Sequence, residues 1–190
     1  LHTFARVLSR QAYPSGDGSV SLSILSNATA DLIASSVIAT APRHGLWINA
    51  HVAPFGTFAT EAFDVSSETN TRRDDFVLLA LDHKGFNLTS CPGDLIQANT
   101  VVADCVSQVQ KFVAAIREAS GATVIVQTLP LAATSEFGSF DVQLPGTLSW
   151  LIHRFNVKLC EAMSSGVLVL DVAGLAQMVG LSQWHDPVQW

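Results

Sequence analysis

Four consecutive residues raise the question of chemistry first. Ser26-Asn27-Ala28-Thr29 ends an apolar, β-prone run, V-S-L-S-I-L, and a helix-like stretch begins at once. A hydroxyl at such a junction is a candidate nucleophile, provided that a histidine takes its proton and fixed N–H donors meet the developing oxyanion. Two places set a histidine beside a carboxylate: Asp82-His83, at the end of another apolar run, and His185-Asp186 near the C-terminus. An aspartate next to a histidine can hold the imidazole in one tautomer or raise its pKa. In the catalytic reading Ser26 attacks, His83 or His185 is the base, and Asn27 turns its amide to a substrate carbonyl. A structural reading stands beside it. Ser26, Asn27 or Thr29 caps the following helix by accepting an orphan backbone N–H. Asp82 and Lys84 then form a solvated loop, and Trp184, His185, Asp186 and Trp190 pack as an aromatic terminal segment.

The elements that would position these residues follow from periodicity and punctuation. A lead helix over about 2–11 precedes the turn residues Y-P-S-G-D-G. Strands are expected over 20–26, 46–52, 76–81, 122–127 and 167–170. Helices are expected over about 29–41, 55–63, 97–119, 146–163 and 172–179. The longest carries its apolar residues at Ile96, Val101, Val102, Cys105, Val106, Val109, Phe112, Val113 and Ile116, and stops at Ser120-Gly121. Strands alternating with helices, several strands continuously apolar, specify an α/β protein: a three-layer α/β/α sandwich on a five-stranded parallel sheet, flavodoxin-like. In such folds ligands bind beyond the carboxyl ends of the strands. The turn at 26–29, His51 to Gly56, Asp82-His83, Gln127 to Pro130 and Asp171 all fall there.

Composition narrows the function classes. The chain has 190 residues, 48% of them hydrophobic and 14% charged, with a net charge of −6. That size and content suit one domain with a sizeable core. An acidic chain with no local basic patch has no footprint for nucleic acid, and no apolar run is long enough for a membrane span. The N-terminal residues lack the pattern of a signal peptide. Cys91, Cys105 and Cys160 are odd in number, widely spaced and outside any CxxC, so reduced thiols in a cytoplasmic protein are expected. No dinucleotide or phosphate loop and no HExxH occurs, so cofactor and zinc-protease readings lack support.

A strand ending in a small Ser-bearing turn, a Gly after the second strand and a polar pair after the third resemble an SGNH (GDSL-type) hydrolase. In that family the first turn is G-D-S-x-T with Ser as nucleophile, a Gly and an Asn complete the oxyanion hole, and a late D-x-x-H supplies the base. Laid on that pattern, Ser26 falls on the Gly, Asn27 on the Asp and Ala28 on the nucleophilic Ser. Gly56 matches the second-block Gly, while Ala80, Asp82 and His83 stand where the third block has Gly, Asn and Asp. No D-x-x-H closes the chain, and His185-Asp186 runs in the reverse order. An alanine cannot attack a carbonyl, so the resemblance implies a cleft without hydrolysis.

A narrower resemblance accounts for these departures. The segments I-L-S-N-A-T-A-D-L-I, H-V-A-P-F-G-T-F, V-L-L-A-L-D and Q-W-H-D-P-V-Q-W together look like the N-terminal SGNH-like domain of FkbH-like proteins. Those proteins join it to a C-terminal haloacid-dehalogenase-type (HAD) domain and load a glyceryl unit, derived from a phosphorylated glycerate, onto an acyl carrier protein. The resemblance implies one SGNH-like domain over 1–190 with no cofactor of its own, Mg belonging to a downstream HAD domain. Its partners would be the carrier protein or its acyl-thioester arm, and that HAD domain. The substrate cleft would be lined by Asn27, Ala28, Thr29, Gly56, Asp82 and His83. Val188 departs from the basic residue that often follows the D-P of the last motif.

Overall fold

The computed structural model describes residues 18–132, 135–163 and 165–184. Its strands are β1 (Ser19–Ser26), β2 (Trp47–Val52), β3 (Phe76–Ala80), β4 (Thr123–Gln127) and β5 (Val167–Leu170). Its α-helices are α1 (Asp31–Thr40), α2 (Phe58–Phe63), α3 (Glu68–Arg72), α4 (Leu95–Ser120), α5 (Leu148–Ala162), α6 (Val172–Val179) and α7 (Leu181–Trp184). The strands form one all-parallel sheet in the order β2-β1-β3-β4-β5, flanked by helices as the sequence requires. Register runs from Ser19↔Trp47 to Ile24↔Val52 between β1 and β2, and from Leu22↔Phe76 to Ser26↔Ala80 between β1 and β3. The expected lead helix at 2–11 lies outside the described residues. Among the described residues no helix is long and apolar enough to cross a membrane.

The described chain falls into two compact units. The first comprises 18–81, 112–126 and 166–168. Leu22, Ile24, Leu78 and Ala80 face Ala30 and Ala34 of the α1 segment. Pleat alternation sends Leu25, Val77, Leu79, Val124 and Val126 to the opposite face. They are as deeply buried, so these strands need their continuous apolar character. Phe112 meets Phe58 and Phe63 at ring-centroid separations of 5.9 and 5.1 Å. The boundaries differ from the expected ones where turns take residues. The 26–29 turn delays α1 to Asp31, and Pro54-Phe55-Gly56 delays α2 to Phe58. Helix α3 has too few residues for a visible period, and it buries Thr69 and Asn70 rather than an apolar stripe.

The second unit comprises 82–111, 127–165 and 169–184. Asp94 begins α4 by accepting the Gln97 N–H at 2.9 Å. The stripe Val102, Cys105, Val106 and Val109 is buried as the spacing demands, whereas Ile96, in the first turn, is 82% exposed. Thr147 caps α5 by accepting the Trp150 N–H at 3.3 Å. Leu151, Ile152, Phe155 and Leu159 form the buried face of α5, with Phe155 against Phe86. The 135–141 segment is organised by Asp141, whose carboxylate accepts the N–H groups of Glu136 and Phe137 and the Ser135 hydroxyl. Burial raises that carboxyl's pKa, and these three bonds more than offset it, leaving the carboxyl below the ordinary value.

Candidate functional site

In the first unit the 26–29 turn is held by Ser26 itself. Its hydroxyl donates to the Ala80 carbonyl at the end of β3 and accepts the Ala28 N–H, both at 3.0 Å. The side chain closes an ST-turn on the residue two positions on, and Ser26 is 6% exposed. A nucleophilic serine must offer its proton to a base; this one is committed to a backbone carbonyl. The Ala28 N–H, at the position where the hydrolase pattern has its nucleophile, is likewise taken. The expected capping role is corrected: the N-cap of α1 is Ala30, and no side chain caps that helix. Asn27 and Ala28 are half-buried and Thr29 is exposed, so the turn presents small and polar groups but no hydroxyl at position 28.

Ala53 N–H bonds to Ile24 O at 3.0 Å, so the loop after β2 leaves beside the end of β1. Gly56 lies in that loop with φ +78°, and a Cβ added there would meet nothing within 4 Å. Its glycine is required by the left-handed backbone and not by close approach. His51 does not join the turn. Its Nδ1 is 3.5 Å from Glu68 Oε1, and its Nε2 is buried with no hydrogen-bond partner. Around it runs a polar layer that sequence reasoning missed. Ser23 donates to Asp74 at 2.6 Å, Arg72 pairs with Asp74 at 3.0 Å, and Asn70 donates to the Glu61 and Asp64 carbonyls. Serines alternating with apolar residues in β1, followed by Arg72-Arg73-Asp74-Asp75, are the available signal.

In the second unit Asp82 is engaged with backbone. Its Oδ1 accepts the N–H groups of Lys84 and Gly85 at 2.8 and 2.9 Å, so Asp82 organises the D-H-K-G turn. His83 is half-buried. Burial lowers its pKa below the ordinary 6.5, Asp82 opposes that shift and Lys84 reinforces it. The imidazole is thus neutral near pH 7, the state a general base needs.

The end of β5 carries a feature that the sequence marks only as a strand end. Asp171 is the N-cap of α6: its Oδ1 accepts the Gly174 N–H and the Thr128 hydroxyl, each at 3.0 Å. Thr128 Oγ1 in turn accepts the Ala173 N–H at 2.9 Å, and Asn156 clasps Leu129 through both its N–H and its carbonyl. Asp171 is therefore a helix-capping carboxylate at the strand end, with no histidine among its partners in these bonds. The signal was an aspartate directly after the last strand. A Cβ at Gly174 would lie 2.3 Å from Asp171 Oδ2, so a side chain there would press on the capping carboxylate.

His185 and Asp186 lie outside the described residues. A groove of about 460 Å³ between α4 and α5, with Val102 and Val106 beside Arg154 and Lys158, holds none of the expected site residues. Among the described residues no group of three or more His, Cys, Asp or Glu is placed to hold a metal ion.

No family model matches the sequence, and no curated protein matches it. A solved structure does share the fold: the N-terminal part of the protein BF1531 from Bacteroides fragilis, containing a phosphatase domain complexed with Mg. The TM-score is 0.79 at 14% identity, over 98% of this chain and 49% of that one. This chain thus spans about half the length of that structure, and the likeness establishes the α/β fold.

Proposed function

We propose that this chain is a non-hydrolytic SGNH-like domain of an FkbH-type enzyme. Its strand-end cleft binds a carrier-protein arm, an acyl thioester or a neighbouring domain and leaves esters intact. One observation carries the reading: the Ser26 hydroxyl is spent on the Ala80 carbonyl and the Ala28 N–H, while the next candidate position holds an alanine. The half-length match to a structure that includes a phosphatase domain is compatible with a companion HAD-type domain in the same polypeptide. In that arrangement the glyceryl-loading chemistry and Mg belong to the companion. The present chain has no D-x-D, so no step of that chemistry runs through its residues. A cytoplasmic setting follows from the same reading.

The test is exposure of the protein to p-nitrophenyl acetate and to a serine-reactive fluorophosphonate. The expected result is hydrolysis no faster than the buffer blank and no adduct at Ser26. A burst or an adduct that disappears in Ser26→Ala would overturn the reading and install the alternative, an esterase or acyltransferase using Ser26 with a nearby histidine.

A further inference from the structure

The groove between α4 and α5 lies within the second unit and is lined by both helices. Its α4 wall runs from position 99 to position 110, about 16 Å of helix. The floor is aliphatic: Val102 and Val106 are 4 and 8% exposed, and Ala103 beside them is open. Across from them α5 contributes Arg154, Lys158 and Glu161, at the i, i+4 and i+7 positions of one helix face. These three charges are not equivalent. Lys158 Nζ is 2.7 Å from Glu161 Oε2, so that pair sums to zero. Arg154 lies over the Trp150 ring at 5.5 Å and pairs with no carboxylate among the described residues. An aromatic face attracts a guanidinium and holds it in place, but it carries no net charge to neutralise it. The groove thus joins an aliphatic floor to one unneutralised cation.

We infer that this groove binds a small aliphatic monocarboxylate, its two oxygens on the Arg154 fork and its chain along Val102, Ala103 and Val106. Volume selects a small molecule. About 460 Å³ falls in the roughly 300–1,000 Å³ range of small-molecule sites. A docking helix about 10 Å across would need more than twice that space over the same length. Charge selects the anion. A guanidinium presents paired N–H donors that match both oxygens of a carboxylate. One net positive charge is balanced by a monoanion, whereas a phosphate monoester close to its dianionic state would set surplus negative charge beside Glu161. Little valine surface is still open to be covered, so the affinity is modest, with a Kd of about 0.1–1 mM. This inference is independent of the reading of the 26–29 turn, which belongs to the first unit.

The test is a titration of the isotope-labelled 190-residue chain with hexanoate, at fixed ionic strength, followed through its amide resonances. Hexanoate is taken to about 20 mM, well past the expected Kd. Saturable shifts centred on 99–110 and 154–162 are the expected result. Hexanol, which lacks the charge, binds about tenfold more weakly, and Arg154→Gln, at an exposed position, weakens hexanoate by a similar factor. Ala103→Phe fills the groove from an exposed position and abolishes the shifts. Glu161→Gln releases Lys158 and raises the affinity for hexyl phosphate above that for hexanoate. Unchanged amide spectra away from the groove show that the variants are folded. The inference is overturned by shifts that do not saturate or centre elsewhere, by hexanoate binding that ignores Arg154→Gln, or by a preference of the unsubstituted chain for hexyl phosphate.

Discussion

The N–H of Gly174 donates to Oδ1 of Asp171 at 3.0 Å, and a Cβ on Gly174 would lie 2.3 Å from the other carboxylate oxygen. The cap and the glycine are therefore one device: the carboxylate folds over the first turn of α6 because no side chain is in its way. Gly174→Ala gains about 1 kcal/mol of helix propensity. It must also displace a carboxylate pinned by Thr128, losing a cap worth about 0.5–2 kcal/mol and adding steric strain of about 1–3 kcal/mol. The expected outcome is net destabilisation of about 1 kcal/mol or more. In an Asp171→Ala background the same substitution becomes neutral or stabilising, because the obstructing oxygen is gone. A double-mutant cycle in urea checks this, and additive effects would contradict it.

Ser26→Ala separates structure from catalysis. The substitution leaves the Ala80 carbonyl and the Ala28 N–H without the partner they share, at a site 6% exposed. Losing a buried two-way hydrogen bonder costs about 1–3 kcal/mol. Chemical denaturation should show a lower midpoint with an unchanged slope, since the area exposed on unfolding stays the same. Background turnover of activated esters should not move.

The strands were legible because continuous apolar runs such as F-V-L-L-A admit few alternatives in a chain with helices between them. The turn at 26–29 was legible as a junction, but its chemistry was not. Whether Ser26 faces the next helix or the neighbouring strand depends on the β1–β3 register, which places it opposite Ala80 and which no local pattern encodes. The same holds for Asp82, whose carboxylate turns back to the N–H groups of its own loop. Helix α3 and the Ser23–Asp74–Arg72 network stayed hidden because polar residues are buried there, and burial is normally read from apolar period. Asp171 reads as no more than a strand end because its capping of α6 depends on Thr128, which lies 43 residues away in sequence.

His83 gives stability a pH dependence with a definite sign. Burial, the largest influence, holds its folded pKa below 6.5, so below that pH the unfolded chain binds more protons than the folded one. The contribution from neutral His83 is full above about 6.5 and shrinks as pH falls through the unfolded and then the folded value. Urea midpoints measured from about pH 7.5 to about pH 5 should fall accordingly, and His83→Gln should flatten that slope. A His83 imidazole resonance titrating above 6.5 would contradict the assignment.

The three cysteines should react in an order set by burial. Cys160 is exposed, Cys91 is half-buried and Cys105 is buried, its thiol donating to the Phe86 carbonyl at 2.9 Å. Burial raises the Cys105 pKa to about 11, with Asp104 adding to the shift, and burial with Asp94 also raises Cys91. The thiolate is the reactive form, so at about pH 8 Cys105 offers almost none and no path to it. A chromogenic aromatic disulfide added to native protein should modify Cys160 first and Cys91 more slowly. Cys105 should follow only after urea unfolds the chain. Peptide mapping assigns each site, and rapid native labelling of Cys105 would show that the contact between α4 and the Phe86 turn opens far more often than its packing implies.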